Sequence, residues 1–260
     1  MQPAPNFGAR LPRDLAFRCV LVCTVLACIL YFVAFVTPNW IELKPEMEST
    51  FLRLGLWTAC FKGYLHPEDY VSKAYYGCWY IYYPEYYYIR SWLNPPWFYA
   101  VQMLSILTLI FLIIATVIVS RLACHRYVSK RRIEELPANL KQLKLCGAMH
   151  LLASCAILVQ IIFVGLNSLD RRWMPRPDYN RLGFSYACAC FANFASFFAL
   201  AFTVIRFVGK SEEELLFAEQ QQLIGEDDAE TADKFAAGAS GIDKKFTAAR
   251  RPAPPEDSLV

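Results

Sequence analysis

Between Trp97 and Val119 the chain has no charged residue. A helix in a soluble core shows a polar stripe every 3.6 residues, so that absence excludes a soluble helix there. Charge of one sign is not in excess either: 26 Lys and Arg stand against 23 Asp and Glu, a net of +3. That balance gives no reason to expect a nucleic-acid partner. A CxxC pair is absent despite ten cysteines, and Cys188-Ala-Cys190 has the wrong spacing in an apolar stretch, so neither a redox pair nor a metal site is expected. Paired ionisable residues inside the apolar stretches, which an intramembrane enzyme would need, are also missing. No catalytic set emerges, and no cofactor is implied.

What is present is four long apolar runs. Residues 15–37, 97–119, 146–169 and 184–208 each meet the requirement of about 20 mostly apolar residues per bilayer crossing. The first exceeds the apolar length of a signal peptide and ends in Thr37-Pro38-Asn39-Trp40 without a small-x-small cleavage site, so it reads as a retained helix. Arg10 and Arg13 precede it, and seven basic residues lie between Arg121 and Lys144. The positive-inside rule then puts 1–14, 120–145 and the tail 209–260 in the cytoplasm, with 38–96 and 170–183 outside. One feature resists: the short second outer segment holds Arg171, Arg172, Arg176 and Arg181. The expected fold is a bundle of four transmembrane helices in the lipid bilayer of the plasma membrane. A small antiparallel sheet from the first outer segment should sit outside it.

Eight cysteines sit in or beside the spans, where a small apolar packing role is the plain expectation. Cys60 and Cys78 alone fall in a polar segment, which suggests a disulfide and independently favours an outer location for 38–96. That segment also holds ten tyrosines. Aromatic richness with Gly63, Gly77 and Pro84 between argues for short strands, best at Phe51–Trp57 and Cys78–Tyr83. For Trp92, Trp97 and Tyr99 an aromatic belt at headgroup level is the competing reading. Inside the spans, Gln102, Gln160 and Asn193 read as interhelical hydrogen-bonders. Arg18, His150 and Arg206 lie nearer span ends, where snorkelling is expected.

Cys124, between Arg121 and Arg126, is a juxtamembrane cysteine of the kind that is palmitoylated or left unmodified. After Val208 the chain turns polar. Ser211–Glu214 has capping-box spacing before Leu215–Ile224, and from Gly225 the composition favours disorder. The end, Ser258-Leu259-Val260, suits the groove of a cytoplasmic PDZ scaffold, which holds a terminal carboxylate and a Val side chain.

Trp40, the run Gly55-Leu56-Trp57, and then Cys60 and Cys78 form a W…GLWxxC…C pattern between the first two spans. With the four-span layout, this resembles the claudin superfamily, which includes the peripheral-myelin and epithelial membrane proteins and the channel-regulating gamma subunits. The resemblance covers about 15–208. It implies a disulfide between Cys60 and Cys78, a sheet seated on the bundle, and a basic residue matched by Arg90. It further implies homo- or hetero-oligomers with claudin-like proteins, both within one membrane and across to the next cell. The cysteine separation is wide, the second outer segment is short and basic, and no cysteine pair follows the fourth span. Those departures are similar to divergent invertebrate claudin-like proteins of septate junctions.

The leading expectation is therefore a junction protein contributing to a paracellular barrier, as at a tight or septate junction, or to junction assembly. The alternative is a gamma-type auxiliary subunit regulating a channel or receptor. Those subunits usually carry an N-x-S/T sequon in the first outer segment. Here Asn39 precedes Trp-Ile and Asn94 precedes Pro-Pro, which favours the junctional reading.

Overall fold

The chain leaves its first helix abruptly, and a proline explains why. α1 spans Arg13–Val36, about 36 Å at 1.5 Å per residue, enough for a hydrocarbon core of about 30 Å. Pro38 then disfavours helical geometry at Thr37, whose hydroxyl and N–H both turn back to the Val33 carbonyl. The computed structural model describes residues 13–67, 69, 71–128 and 136–208. The expectations for 1–12 and 209–260, including Ser211–Ile224 and the PDZ-type end Ser258–Val260, fall outside the described residues.

Three further long helices follow. After the single-turn α2, Arg90–Leu93, α3 covers Pro96–Val128 and starts on proline, where a missing N–H is harmless. α4 covers Leu136–Asn167 and α5 Phe184–Val208. Among the described residues, four segments are long and apolar enough to cross a membrane: Leu15–Val36, Pro96–Cys124, Lys141–Asn167 and Phe184–Val208. Large apolar side chains such as Ile110, Leu151 and Phe191 point outward from them. That is what lipid requires and water forbids.

The polar atoms inside the bundle are paired. Tyr31 of α1 donates to Gln160 of α4 at 2.6 Å, and Gln160 donates to Thr108 of α3 at 3.0 Å. Ser154 of α4 donates to Asn193 of α5 at 2.8 Å. His150 corrects the snorkelling expectation: it is fully buried, 2.9 Å from Thr24 of α1 and 3.1 Å from Ser196 of α5. Position along a span does not reveal that its helix face meets two others.

The sheet has five antiparallel strands in the order β4-β3-β2-β1-β5. β1 is Ile41–Leu43, β2 Phe51–Leu54, β3 Thr58–Leu65, β4 Ala74–Tyr80 and β5 Asn180–Leu182. Both strand expectations missed the bounds: Phe51–Trp57 was too long, and Cys78–Tyr83 began four residues after the start of β4 and ran past its end. Phe51–Trp57 breaks at Gly55, whose N–H bonds the Thr58 carbonyl to close a turn. A Cβ on Gly55 would lie 2.5 Å from the Pro38 Cα, so only glycine lets this turn meet the chain leaving α1. Cys78–Tyr83 stops at Tyr80, ahead of the 3-10 turn Pro84–Tyr86. Gly63, at φ +72, sits where the β3–β4 register shifts between Lys62 and Tyr64, a bulge that glycine accommodates. The fifth strand comes from 170–183, which carried no strand expectation.

Candidate interaction surface on the seated sheet

Trp40 is the first anchor. It is 1% exposed, and its Nε1 donates to the Ala34 carbonyl at 2.7 Å. Ala34 lies in the last turn of α1, whose carbonyls have no partner within the helix, so the indole caps α1 while starting the sheet. The Tyr186 ring of α5 meets Trp40 edge-on at 6.1 Å, and its hydroxyl bonds the Ile161 carbonyl of α4. Trp40 therefore works inside the protein rather than at a water boundary.

Leu56 and Trp57 are the second anchor. Leu56 is buried, and its carbonyl accepts from Gln102 of α3 at 2.7 Å. Gln102 is fully buried and also accepts from the Tyr82 hydroxyl at 2.6 Å. The expectation that Gln102 links two helices is thus corrected: it holds the sheet's turn. A polar residue within the first two turns of a span bonds whatever is folded above it, and hydropathy does not identify that neighbour. Trp57 lies half-buried against Phe35 of α1, with ring centroids 5.2 Å apart, and stacks near Tyr80 at 6.4 Å. The Gly-Leu-Trp run is a docking turn onto α1 and α3.

Cys60 and Cys78 are directly opposite on β3 and β4 and are disulfide-bonded. Arg53 of β2 lays its Nε 3.3 Å from the Cys60 sulfur. Beneath, Phe61 meets Phe51, Tyr64 and Tyr86 at 5.0–6.0 Å between centroids. Tyr86 donates to the Ala59 carbonyl at 2.9 Å, and burial pushes its phenol upward. Burial pushes Tyr64 up to about 12. In the β3–β4 connection, the Val71 N–H and the Tyr75 hydroxyl both donate to Asp69, at 3.0 and 2.8 Å. They hold its carboxyl below the usual carboxylate range, the Val71 bond most of all. Arg90 donates to the Tyr82 and Tyr83 carbonyls and lies over the Tyr87 ring, fastening the end of the first connecting segment.

The second connecting segment is built into the same domain. β5 pairs with β1 through Ile41–Leu182 and Leu43–Asn180. Trp173 is 5% exposed and packs against Trp97 and Phe98, at 4.6 and 5.4 Å. Trp92 donates to the Arg172 carbonyl, and Lys44 to the Asp178 carbonyl. Trp92 and Trp97 therefore pack on protein, whereas Tyr99 is exposed. The unexpected basic density also has a local account. Arg181 pairs with Glu42 at 2.8 Å, Arg171 with Asp178 at 3.1 Å and Arg172 with Asp170 at 3.3 Å. Trp173 in a polar stretch and the apolar Leu182 were the available signals for this docking.

The sheet ends in two edge strands, β5 and β4, and the exposed aromatics gather at β4. Tyr76, Trp79 and Tyr80 on it, and Tyr83, Tyr87 and Tyr88 just after it, are 41–66% exposed. Aromatics gathered on an open strand edge make a contact surface for another macromolecule. Among the described residues no group of His, Cys, Asp and Glu could hold a metal. Cys124 is exposed near the end of α3, far in sequence from this domain.

A comparison with curated proteins returns no significant match. A family model described as PMP-22/EMP/MP20/Claudin tight junction matches residues 25–202. The match runs from the middle of α1 through the sheet to the last turns of α5, well over half of the chain, and it covers every anchor described above. This multi-pass membrane protein belongs to the PMP-22/EMP/MP20/claudin family.

Proposed function

We propose that the protein is a junctional component of the plasma membrane, with the sheet outside the cell and both chain ends in the cytoplasm. It contributes to junction assembly or to a paracellular barrier, by associating with claudin-like proteins beside it and on the facing cell. The observation that carries this reading is the exposed aromatic edge at β4, held rigid by the disulfide and by the Trp40 and Leu56 anchors. A surface built from stiff aromatic rings loses little side-chain entropy on association. The departures from vertebrate family members support a septate-type junction. The motif Trp40, Gly55, Leu56, Trp57, Cys60 and Cys78 positions the sheet rather than contacting partners.

Two cytoplasmic features complete the proposal. Ser258-Leu259-Val260 docks a PDZ scaffold, and adding one Gly after Val260 should abolish that capture while leaving membrane insertion intact. Cys124, exposed beside Arg121, is the residue for palmitoylation.

The test is expression of tagged full-length protein in epithelial cells. Enrichment at cell contacts, and loss of that enrichment when Tyr76, Tyr80 and Tyr87 are changed together to Ser, supports the junctional role. Even surface distribution with a channel or receptor co-purifying, unaffected by the triple change, would instead select the gamma-type auxiliary subunit.

A further inference from the structure

The sheet and the second connecting segment enclose an open cleft of about 1170 Å³. One side is aromatic: Trp92 stacks on Tyr64 at 5.4 Å and meets the His66 ring at 4.6 Å. The rim is cationic, with Lys62 on one side and Arg171, Arg172 and Arg176 on the other, against a single lining carboxylate among the described residues, Glu48. Lys62 and Arg176 have no carboxylate partner among the described residues, and Arg176 lies over the Tyr179 ring at 5.6 Å. Arg171 and Arg172 are engaged by Asp178 and Asp170 only in exposed pairs, with the arginine side chains 79% and 92% exposed. Such pairs are worth little in water, so a multivalent anion can recruit both guanidinium groups.

We infer that this cleft binds an anionic glycan bearing sulfate or uronate groups, at or between cell surfaces. Guanidinium groups take carboxylate and sulfate oxygens in bidentate pairs, and aromatic faces such as Trp92 accept the apolar face of a sugar ring. An extended acidic peptide is the competing occupant, and the cleft suits it less. Strand addition needs a free sheet edge, yet neither edge strand, β4 nor β5, contributes a lining residue. The cleft is also preformed. The Trp92–Arg172 and Trp173–Leu93 hydrogen bonds hold its two sides together, so little ordering opposes binding.

This inference rests on the sheet being outside the cell, and the experiment separates the two claims. Full-length protein is expressed in cells that make no sulfated glycans, and a fluorescent heparin-derived octasaccharide is titrated onto intact cells. In parallel, Tyr87→Cys is reacted with a membrane-impermeant maleimide, reporting on orientation alone. The expected result is saturable octasaccharide binding, weakened at least tenfold by combined Lys62→Gln, Arg171→Gln and Arg176→Gln, and unchanged by Lys73→Gln outside the cleft. Neutral dextran should not bind. With Tyr87→Cys labelled, three outcomes would overturn the inference. These are absence of binding, binding indifferent to the triple change at equal surface level, and equally tight binding of a poly-glutamate peptide of matched charge.

Discussion

The disulfide is the residue-scale feature whose removal is most informative. Cys60→Ser and Cys78→Ser should each destabilise the sheet by about 2–5 kcal/mol. The double change should be no worse than either, because each alone breaks the same bond. Thermal unfolding of the three variants beside the parent checks this, and unequal single variants would point to a second role for one sulfur. Asp69 supplies a pH test. Its folded-state carboxyl is held below the ordinary value by the Val71 N–H and the Tyr75 hydroxyl. Its stabilisation is therefore present above the ordinary carboxylate value of about 4 and is lost as pH falls from there through the lowered one. Asp69→Asn should flatten the acid slope of sheet stability over that window, and Tyr75→Phe should flatten it partly. The pairing of the cysteines was legible in the sequence, since both lie alone in a polar segment. The Asp69 bonds were not, because Asp-x-Val-x-x-x-Tyr has no distinctive pattern until a turn folds it together.

At the scale of elements, the second connecting segment is the piece whose role changed most between sequence and structure. Its three-residue strand would not persist alone, and Trp173 provides the burial that keeps it in place. Trp173→Ala should cost about 3–5 kcal/mol, concentrated in this segment. Amide exchange at Lys44 and Gly183, whose N–H groups bond the Tyr179 and Trp40 carbonyls, and proteolysis between 170 and 183, should both accelerate while the Cys60–Cys78 bond stays intact. If exchange rises equally across β3 and β4, the segment and the hairpin are one unit instead. Helix spans were readable because each is a run of like residues whose transfer free energies add along the chain. Strand limits were not: aromatic composition extends through Trp57 and Tyr83, while Gly55 and the turn that bonds the Tyr83 N–H to the Tyr80 carbonyl decide where pairing ends.

For the whole molecule, the arrangement to test is which side of the membrane the sheet occupies. Single cysteines placed at Tyr87 and Asp178, in a background without other reactive cysteines, should label on intact cells with an impermeant maleimide. One placed at Asp228 should label only after permeabilisation. Labelling of Asp228 from outside would reverse the orientation and with it the proposed junctional role. The paired arginines of the second segment matter here. Three of the four meet carboxylates, so their count overstates the charge that would oppose an outer location.

The sequence by itself determined the four apolar crossings, the cysteine pair and the family motif, because each depends on residue type within a short stretch. Tertiary structure alone decided what those residues hold. Ile41 pairs with Leu182 across some 140 residues, Trp40 finds the last turn of α1, Gln102 holds the Leu56 turn and His150 joins three helices. Each of those contacts satisfies a buried polar or backbone group that would otherwise go unpaired, and only the packing of distant segments determines which partner is within reach.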